Sequence, residues 1–208
     1  MIMIKNVLFD LGGVVITLCQ PEAIRRFAAL GLTDAADYLD QYTQGGIFGK
    51  LEEGSMSAED FRNELSRIVG REITASECRH AWLGYRAELP ARNLDTLRRL
   101  RAEGYRLLLL SNTNPYMMDW ALSSEFDGNG HSINDYFDAL YLSYQMRAMK
   151  PDVSFFRMVL EKENILPEEC LFVDDGARNT AVASSLGIKT FCPENGSDWT
   201  QEIDKYLK

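Results

Sequence analysis

The sequence has little positive charge. Its 208 residues include 22 lysines and arginines against 31 aspartates and glutamates, which gives a net charge of −9 at pH 7. Such a chain cannot neutralise the phosphates of a nucleic acid in bulk, so we exclude nucleic acid as a partner. A single phosphate group would have to be held locally, by a few hydrogen-bond donors or by a metal ion.

Long apolar runs and paired cysteines are also missing. The apolar start, MIMIKNVLF, is interrupted by Lys5 and followed by Asp10, which leaves it too short for a signal sequence or a membrane span. The four cysteines are far apart and form no CxxC pair, a pattern that favours a reduced compartment over a disulfide framework. We therefore expect a soluble, cytoplasmic protein with no membrane partner. The oligomeric state cannot be read from the sequence.

Five short apolar runs predict buried strands. They cover residues 6–9, 106–110, 139–142, 171–173 and 189–191. Each run is continuous rather than alternating, as in strands of a parallel sheet that is covered on both faces. Helical patterns separate the runs from about residue 88 onward. We therefore predict an α/β fold with a Rossmann-like core, a doubly wound parallel sheet.

A long helical interval lies between the first two strands. Residues 17–88 contain four helical patterns, PEAIRRFAALG, DAADYLDQYTQ, SAEDFRNELSRIVG and TASECRHAWLGYR, and no readable strand. We expect a helical insertion that covers the carboxyl ends of the strands. The chain would then divide into a core of residues 1–16 plus 89–208 and a small domain of residues 17–88. Within that domain, the glycines of QGGIFGKLEEG predict a flexible stretch that contacts substrate.

Polar side chains follow four of the predicted strands. The motifs are Asp10 after NVLF, Ser111-Asn112 after RLLLL, Lys150 in the loop after the third run, and Asp174-Asp175 after LFV. Alone, each motif has an ordinary interpretation, such as a turn former, a loop, a solvated surface lysine or exposed acids. Because open α/β sheets bind ligands at the carboxyl ends of their strands, we expect these side chains to meet in one site.

The acidic motifs together fit phosphoryl transfer to a carboxylate. An anionic nucleophile can approach a phosphate only if a cation reduces the repulsion between them. Asp10 is the candidate nucleophile and one candidate Mg²⁺ ligand. Asp174 and Asp175 would complete the shell of oxygen ligands that Mg²⁺ prefers. Mg²⁺ is therefore the expected cofactor.

The remaining motifs supply groups that can hold a phosphate. Ser111 and Asn112 offer a hydroxyl and amide donors, and we predict that they bind the non-bridging oxygens. Lys150 offers the cation that would steady both the phosphate and a phosphorylated Asp10, so it is a candidate for binding and for catalysis. The expected partner is a small-molecule phosphate ester.

The same motifs resemble those of the haloacid dehalogenase superfamily over the whole chain. FDLGGVV is similar to its first motif, LLLSNTN to its second, Lys150 to its third and FVDDGARN to its fourth. A helical insertion after the first motif is similar to the C1-type cap of subfamily I. The resemblance implies a Rossmann-like core with a mobile cap, Mg²⁺ and an aspartyl-phosphate intermediate. The segments GKLEEGSMSAEDFRNEL and MKPD further resemble bacterial members close to α-D-glucose-1-phosphate phosphatase.

Gly12 departs from the pattern of that family. Most of its phosphatases have a second aspartate two residues after the nucleophile, which protonates the leaving oxygen and later activates water. The Gly12 carbonyl could still bind Mg²⁺, as the resemblance implies, but glycine has no proton to give. General acid–base catalysis is worth about 10²–10⁴ in rate, so its absence should lower the rate of hydrolysis.

Three interpretations follow from the missing aspartate. The chain hydrolyses a small phosphate monoester, such as a sugar phosphate whose anomeric oxygen leaves with little protonation. Alternatively, it is a phosphate-binding scaffold that has lost turnover. The third possibility is a metal-independent 2-haloacid dehalogenase, since a departing halide needs no proton. The pair Asp174-Asp175 argues against this last interpretation, because a dehalogenase does not use a Mg²⁺ shell.

Overall fold

The computed structural model describes residues 3–40 and 42–207. Its strands are β1 (Asn6–Phe9), β2 (Thr17–Leu18), β3 (Arg86–Glu88), β4 (Arg106–Ser111), β5 (Ala139–Leu142), β6 (Cys170–Val173) and β7 (Lys189–Phe191). Its α-helices are α1 (Gln20–Leu30), α2 (Gly46–Glu52), α3 (Ala58–Val69), α4 (Ala75–Trp82), α5 (Ala91–Ala102), α6 (Pro115–Ala121), α7 (Ser143–Met146), α8 (Val153–Glu163), α9 (Ala177–Ser185) and α10 (Asp204–Leu207).

The five predicted strands form one parallel sheet, in the order β5-β4-β1-β6-β7. The predicted α/β fold is thereby confirmed. β1 is central because the chain adds β4 and β5 on one side of it and β6 and β7 on the other. The order reverses next to β1, so the crevice where such sheets bind ligands lies at its carboxyl end, where Asp10 stands.

Helices α1 to α4 follow β1 and pack around their own aromatic centre. Phe27, Phe48, Phe61 and Trp82 are almost fully buried, with neighbouring ring centroids 4.9 to 6.0 Å apart. Many of these rings meet edge to face, a geometry that adds to the gain from apolar burial. Of these four helices, the sequence patterns predict three: α1, α3 and α4.

This helical part also contacts the core through helix α6. The hydroxyl of Tyr116, at the start of α6, donates a hydrogen bond to the carbonyl of Ala58 at 2.6 Å. Arg79 on α4 forms an ion pair with Asp119 on α6 at 2.8 Å. The division at residues 17 and 88 stays a proposal, as does a mobile cap.

Two short strands within residues 17–88 correct the expectation that this interval has none. β2 and β3 pair antiparallel with each other at the two ends of the interval. They have two and three residues, and all three side chains of β3 are exposed. Neither an apolar run nor an alternating pattern marks them, because their partner is far away in sequence and they bury little.

The pattern DAADYLDQYTQ does not form the predicted helix. Only Ala35–Asp37 make a single 3₁₀ turn, and Gln41 lies outside the described residues. The carboxylate of Asp40 accepts hydrogen bonds from the backbone N–H groups of Tyr42 and Thr43 at 2.9 and 3.2 Å. A side chain that bonds to the following backbone competes with helix formation, which explains the wrong prediction.

Most of the stretch QGGIFGKLEEG is helical, although its glycines predict a flexible segment. It forms α2, which buries Phe48, Leu51 and Glu52 on one face. The spacing of these residues, i, i+3 and i+4, places them on the same side of a helix. The apolar contacts of Phe48 and Leu51 outweigh the low helix propensity of the glycines.

None of the helices in the described ranges is both long and apolar enough to cross a membrane. The four cysteines are free thiols, as their spacing predicts.

Candidate active site

Asp10 is fixed at the carboxyl end of the central strand. Its N–H donates to the carbonyl of Val173 at 2.9 Å, which continues the ladder between β1 and β6. Its Oδ1 accepts a hydrogen bond from the N–H of Leu11 at 2.7 Å. The carboxylate is therefore oriented by the backbone on both sides of it.

Lys150 is buried, so the interpretation of a solvated surface lysine is wrong. It is 2% exposed, and its Nζ lies 3.0 Å from Oδ1 of Asp10 and 2.6 Å from Oδ2 of Asp174. Asn112 holds the backbone of Lys150, since its Oδ1 accepts from the Lys150 N–H at 2.9 Å and its Nδ2 donates to the Lys150 carbonyl at 2.8 Å. The second and third motifs are thus joined.

The side chain of Asp174 is also fully engaged. Its Oδ2 binds Lys150, and its Oδ1 accepts from the N–H of Gly176 at 2.8 Å and from Nδ2 of Asn179 at 2.9 Å. Asp174 therefore acts as an anchor for Lys150. Of the two adjacent carboxylates, Asp175 is the better candidate for a direct metal ligand.

Three carboxylates converge here: oxygens of Asp10, Asp174 and Asp175 all lie within 4.8 Å of one another. Burial raises the pKa of Asp10 well above its usual value; Lys150 opposes that rise, and the two other carboxylates add to it. Burial lowers the pKa of Lys150, but the carboxylates of Asp10 and Asp174 outweigh burial and raise it. Asp10 and Lys150 therefore both keep their protons to higher pH than usual, as expected for an acid near other carboxylates and for a lysine between them.

This donor set fits a divalent cation. Mg²⁺ takes oxygen ligands, and one lysine cannot balance three carboxylates held this close together. Gly13 contributes room: its φ is +76°, and a Cβ at this position would stand 2.1 Å from Oδ2 of Asp175. A side chain there would displace the Asp175 carboxylate. Gly13 therefore lets the loops after β1 and β6 approach each other, which the sequence did not reveal.

The predicted phosphate-binding residues lie beside this cluster. Ser111, Asn112 and Gly12 line the same pocket as Asp10, Lys150 and Asp175. The side chain of Asn112 is committed to the backbone of Lys150, so it positions Lys150 in this structure. The structure brings all the predicted site residues together, and their roles stay predictions.

The insertion closes the pocket with residues that the sequence did not single out. These residues are Tyr42, Gln44, Glu52, Trp82 and Tyr85. Gln44 and Glu52 belong to QGGIFGKLEEG, the stretch predicted to contact substrate, whereas none of its four glycines lines the pocket. The hydroxyl of Tyr85 donates to the carbonyl of Asp40 at 2.9 Å.

Glu52 is an unusual residue for such a wall. It is 6% exposed, and within the described part of the chain no lysine or arginine forms an ion pair with it. Burial raises its pKa to about 7, and the neighbouring amide of Asn114 only partly offsets this effect. Glu52 thus combines a carboxyl group, a pocket position and a pKa near neutrality.

The raised pKa of Glu52 predicts a pH-dependent stability. A carboxyl whose pKa is higher in the folded chain takes up a proton on folding, so the free energy of unfolding decreases as the pH rises from 4.5 to about 7. The total decrease is about 3 kcal/mol. Glu52→Gln is neutral throughout, so we expect it to be more stable than the native chain by up to this amount at about pH 8, and equal to it at about pH 4.

Denaturant unfolding of both chains at the two pH values measures this difference. Glu53→Gln is the matched control, because Glu53 is the next residue of the same sequence and is exposed. A gain that is the same for both variants, or the same at both pH values, would contradict the assignment.

Comparisons with known proteins agree with this geometry. A model of the haloacid dehalogenase-like hydrolase family matches residues 4–187. A D-ribitol-5-phosphate phosphatase from Bacteroides thetaiotaomicron is 48% identical over 205 residues, which is 99% of each chain. The resemblance to the bacterial α-D-glucose-1-phosphate phosphatases stays a prediction.

Solved structures of similar chains have the same fold. A HAD-like family hydrolase from Porphyromonas gingivalis has a TM-score of 0.94 at 44% identity, over 99% of this chain and 98% of that one. A HAD family enzyme from Bacteroides thetaiotaomicron, solved with magnesium and inorganic phosphate, has a TM-score of 0.87 at 35% identity, over 95% and 98%. Because the family model covers most of the chain and these similarities cover nearly all of it, this protein belongs to the haloacid dehalogenase-like hydrolases.

Proposed function

We propose that this hydrolase is a Mg²⁺-dependent phosphatase of small phosphate monoesters, with sugar or sugar-alcohol phosphates as substrates. The observation that carries the proposal is the convergence of Asp10, Asp174 and Asp175 to within 4.8 Å of one another, with Lys150 buried among them. The 48% identity to a D-ribitol-5-phosphate phosphatase supports a pentitol phosphate as the first substrate to test.

Asp10 is the nucleophile in this proposal. Leu11 N–H and Lys150 Nζ both contact its Oδ1, at 2.7 and 3.0 Å, so we assign the attack on phosphorus to Oδ2. The product of this step is an aspartyl-phosphate, which water then hydrolyses. Lys150 keeps Asp10 in place before the attack and offers positive charge to the phosphate after it.

The metal would be held by Asp10, the carbonyl of Gly12 and Asp175, with Asp174 behind them. When bound, Mg²⁺ would reduce the repulsion between the nucleophile and the phosphate. Both carboxylate oxygens of Asp174 already accept hydrogen bonds, so we assign this residue an indirect role in metal binding. It keeps Lys150 and the turn at Gly176 in position. Ser111 and the backbone that follows β4 are the proposed donors to the phosphate oxygens.

The two alternatives explain less of this arrangement. A metal-independent dehalogenase would have to keep three carboxylates close together with one lysine between them. A scaffold without turnover would also use these residues to bind phosphate, but it would not release inorganic phosphate from an ester.

The proposal predicts phosphate release that depends on Mg²⁺. We expect the protein to hydrolyse D-ribitol 5-phosphate with Mg²⁺ present and to lose this activity in excess chelator, since the carboxylates alone repel the substrate. A panel of sugar phosphates and nucleotide monophosphates would rank the substrates. Release of chloride from 2-chloropropionate without metal would instead favour the dehalogenase, and binding of phosphate without any turnover would favour the scaffold.

A further inference from the structure

We propose that Glu52 is the catalytic acid that protonates the leaving oxygen, in place of the aspartate that is missing at Gly12. This inference rests on the proposed phosphatase function and goes beyond it, because it assigns the proton donor to the helical insertion. The argument starts from the atoms that line the pocket.

The loop after β1 cannot supply a proton donor. Gly12 lines the pocket at the position that follows the nucleophile by two residues, and it has no side chain. An alkyl phosphate, such as an ester of ribitol, leaves as a strongly basic alkoxide unless a proton reaches it in the transition state. The donor therefore has to come from another part of the pocket wall.

Few other groups within the described residues of the wall can give up a proton near neutral pH. Asp10, Asp175 and Lys150 belong to the carboxylate cluster described above. Burial raises the pKa of Tyr85 far above its usual value, and its hydroxyl already donates to Asp40.

Tyr42 is a second tyrosine of the wall, and burial raises its pKa as well, so neither hydroxyl is a good acid near neutrality. Glu52 is the remaining acidic side chain of the pocket lining.

Glu52 is held next to the phosphate-binding loop. Asn112 contacts the backbone of Lys150, and Asn114, two residues further on, lies beside the Glu52 carboxyl. Residues 112–114 thus connect Lys150 of the core with Glu52 of the insertion. In an in-line attack the proton donor stands on the side of the leaving group, so Glu52 would lie across the phosphorus from Asp10.

The surroundings of Glu52 suit a proton donor in both of its states. Burial without a cation keeps the carboxyl protonated near neutral pH. Asn114 is fully buried, and its Oδ1 accepts from the N–H groups of Tyr116 and Met117, each at 3.1 Å. Its Nδ2 is buried beside the Glu52 carboxyl and lowers the pKa of that group, so it can donate to the carboxylate that remains after proton transfer.

The step balances as follows. Oδ2 of Asp10 forms a bond to phosphorus, and the bond between phosphorus and the ester oxygen breaks. The electron pair of that bond stays on the ester oxygen, which takes the proton of the Glu52 carboxyl. The products are the free alcohol, the aspartyl-phosphate and the Glu52 carboxylate.

The test compares two leaving groups in Glu52→Gln. For D-ribitol 5-phosphate with Mg²⁺, we expect release of ribitol in the first turnover to slow by ~10²–10⁴-fold. For 4-nitrophenyl phosphate, whose nitrophenolate leaves without a proton, the first-turnover release should change only a few-fold. Glu53→Gln, the exposed neighbour, should match the native chain on both substrates. Thermal unfolding of each variant checks that it is folded.

Other outcomes would overturn the assignment. An equal loss on both substrates, or no loss on either, would exclude a role in protonating the leaving group. A raised KM at unchanged kcat would make Glu52 a substrate-binding residue instead. A native chain that releases no phosphate from either ester would refute the phosphatase proposal itself, and this result is distinct from the other two.

A rescue experiment adds an independent readout. Gly12→Asp in the Glu52→Gln background should restore part of the lost rate on D-ribitol 5-phosphate and leave 4-nitrophenyl phosphate unaffected. The atoms nearest to a Cβ on Gly12 belong to the side chain of Leu18, at 3.0 to 3.4 Å, so this flexible side chain has to shift slightly to admit the new residue. A folded double variant with no recovery would count against a shared function of the two positions.

Discussion

Asp10→Asn is expected to reduce phosphate release by about 10⁴-fold or more, to the level of the metal-free background. The amide is neither anionic nor nucleophilic, so no aspartyl-phosphate can form, and water has to attack the ester without covalent help. The initial rate of phosphate release from D-ribitol 5-phosphate at saturating Mg²⁺ measures the loss.

The variant should remain folded. Asparagine keeps an Oδ1 that accepts the hydrogen bond from Leu11 N–H, and that can stay in contact with Lys150. Asp95→Asn provides the matched control, because the Asp95 side chain is 71% exposed on α5. Its activity should equal that of the native chain. Residual turnover of Asp10→Asn within tenfold of the native rate would assign the nucleophile to another group.

The sheet and the positions of the motifs follow from the sequence for a physical reason. Strands buried on both faces need continuous apolar runs, and such runs are visible without any knowledge of their partners. The predicted bounds of β1, β5 and β7 match the structure. Ligand residues at the carboxyl ends of parallel strands then follow from topology, because these ends share one edge.

Other features depend on contacts that a sequence does not display. Lys150 precedes a proline in a loop, and nothing next to it in sequence indicates that its side chain is buried between two carboxylates. No helix forms at Asp40 because its side chain accepts hydrogen bonds from the backbone that follows. Asp-rich segments that do form helices have the same residue types, so the sequence alone does not distinguish the two cases. Short strands such as β2 form only because a distant segment returns to them.

Glu52 is an intermediate case. Its spacing from Phe48 and Leu51 places it on the apolar face of α2, which is a signal that the sequence does contain. Two features hide this signal. The glycines suggest a loop, and the next residue, Glu53, is also a glutamate, so the residue type does not show which of the two is buried. A carboxyl on the apolar face of a helix is costly to bury, so its presence there points to a function.

Lys150→Met is expected to lower the free energy of unfolding by about 3–5 kcal/mol near neutral pH, without metal. Methionine fills a similar volume, so the loss reports charge rather than a cavity. The variant leaves Asp10 and Asp174 buried with no cation between them. Because burial raises the pKa of Asp10 and protonation neutralises it, the deficit should shrink as the pH falls, and denaturant unfolding at several pH values measures it.

Two further variants separate this effect from others. Lys205→Met removes an exposed lysine whose side chain is 70% accessible, so its stability should stay within about 0.5 kcal/mol of the native value. Asp174→Asn, added to Lys150→Met, removes one of the uncompensated charges and should recover part of the loss, a coupling that a double-mutant cycle measures. If Lys150→Met proved as stable as Lys205→Met, the buried ion pairs of Lys150 would not contribute to the stability of the site.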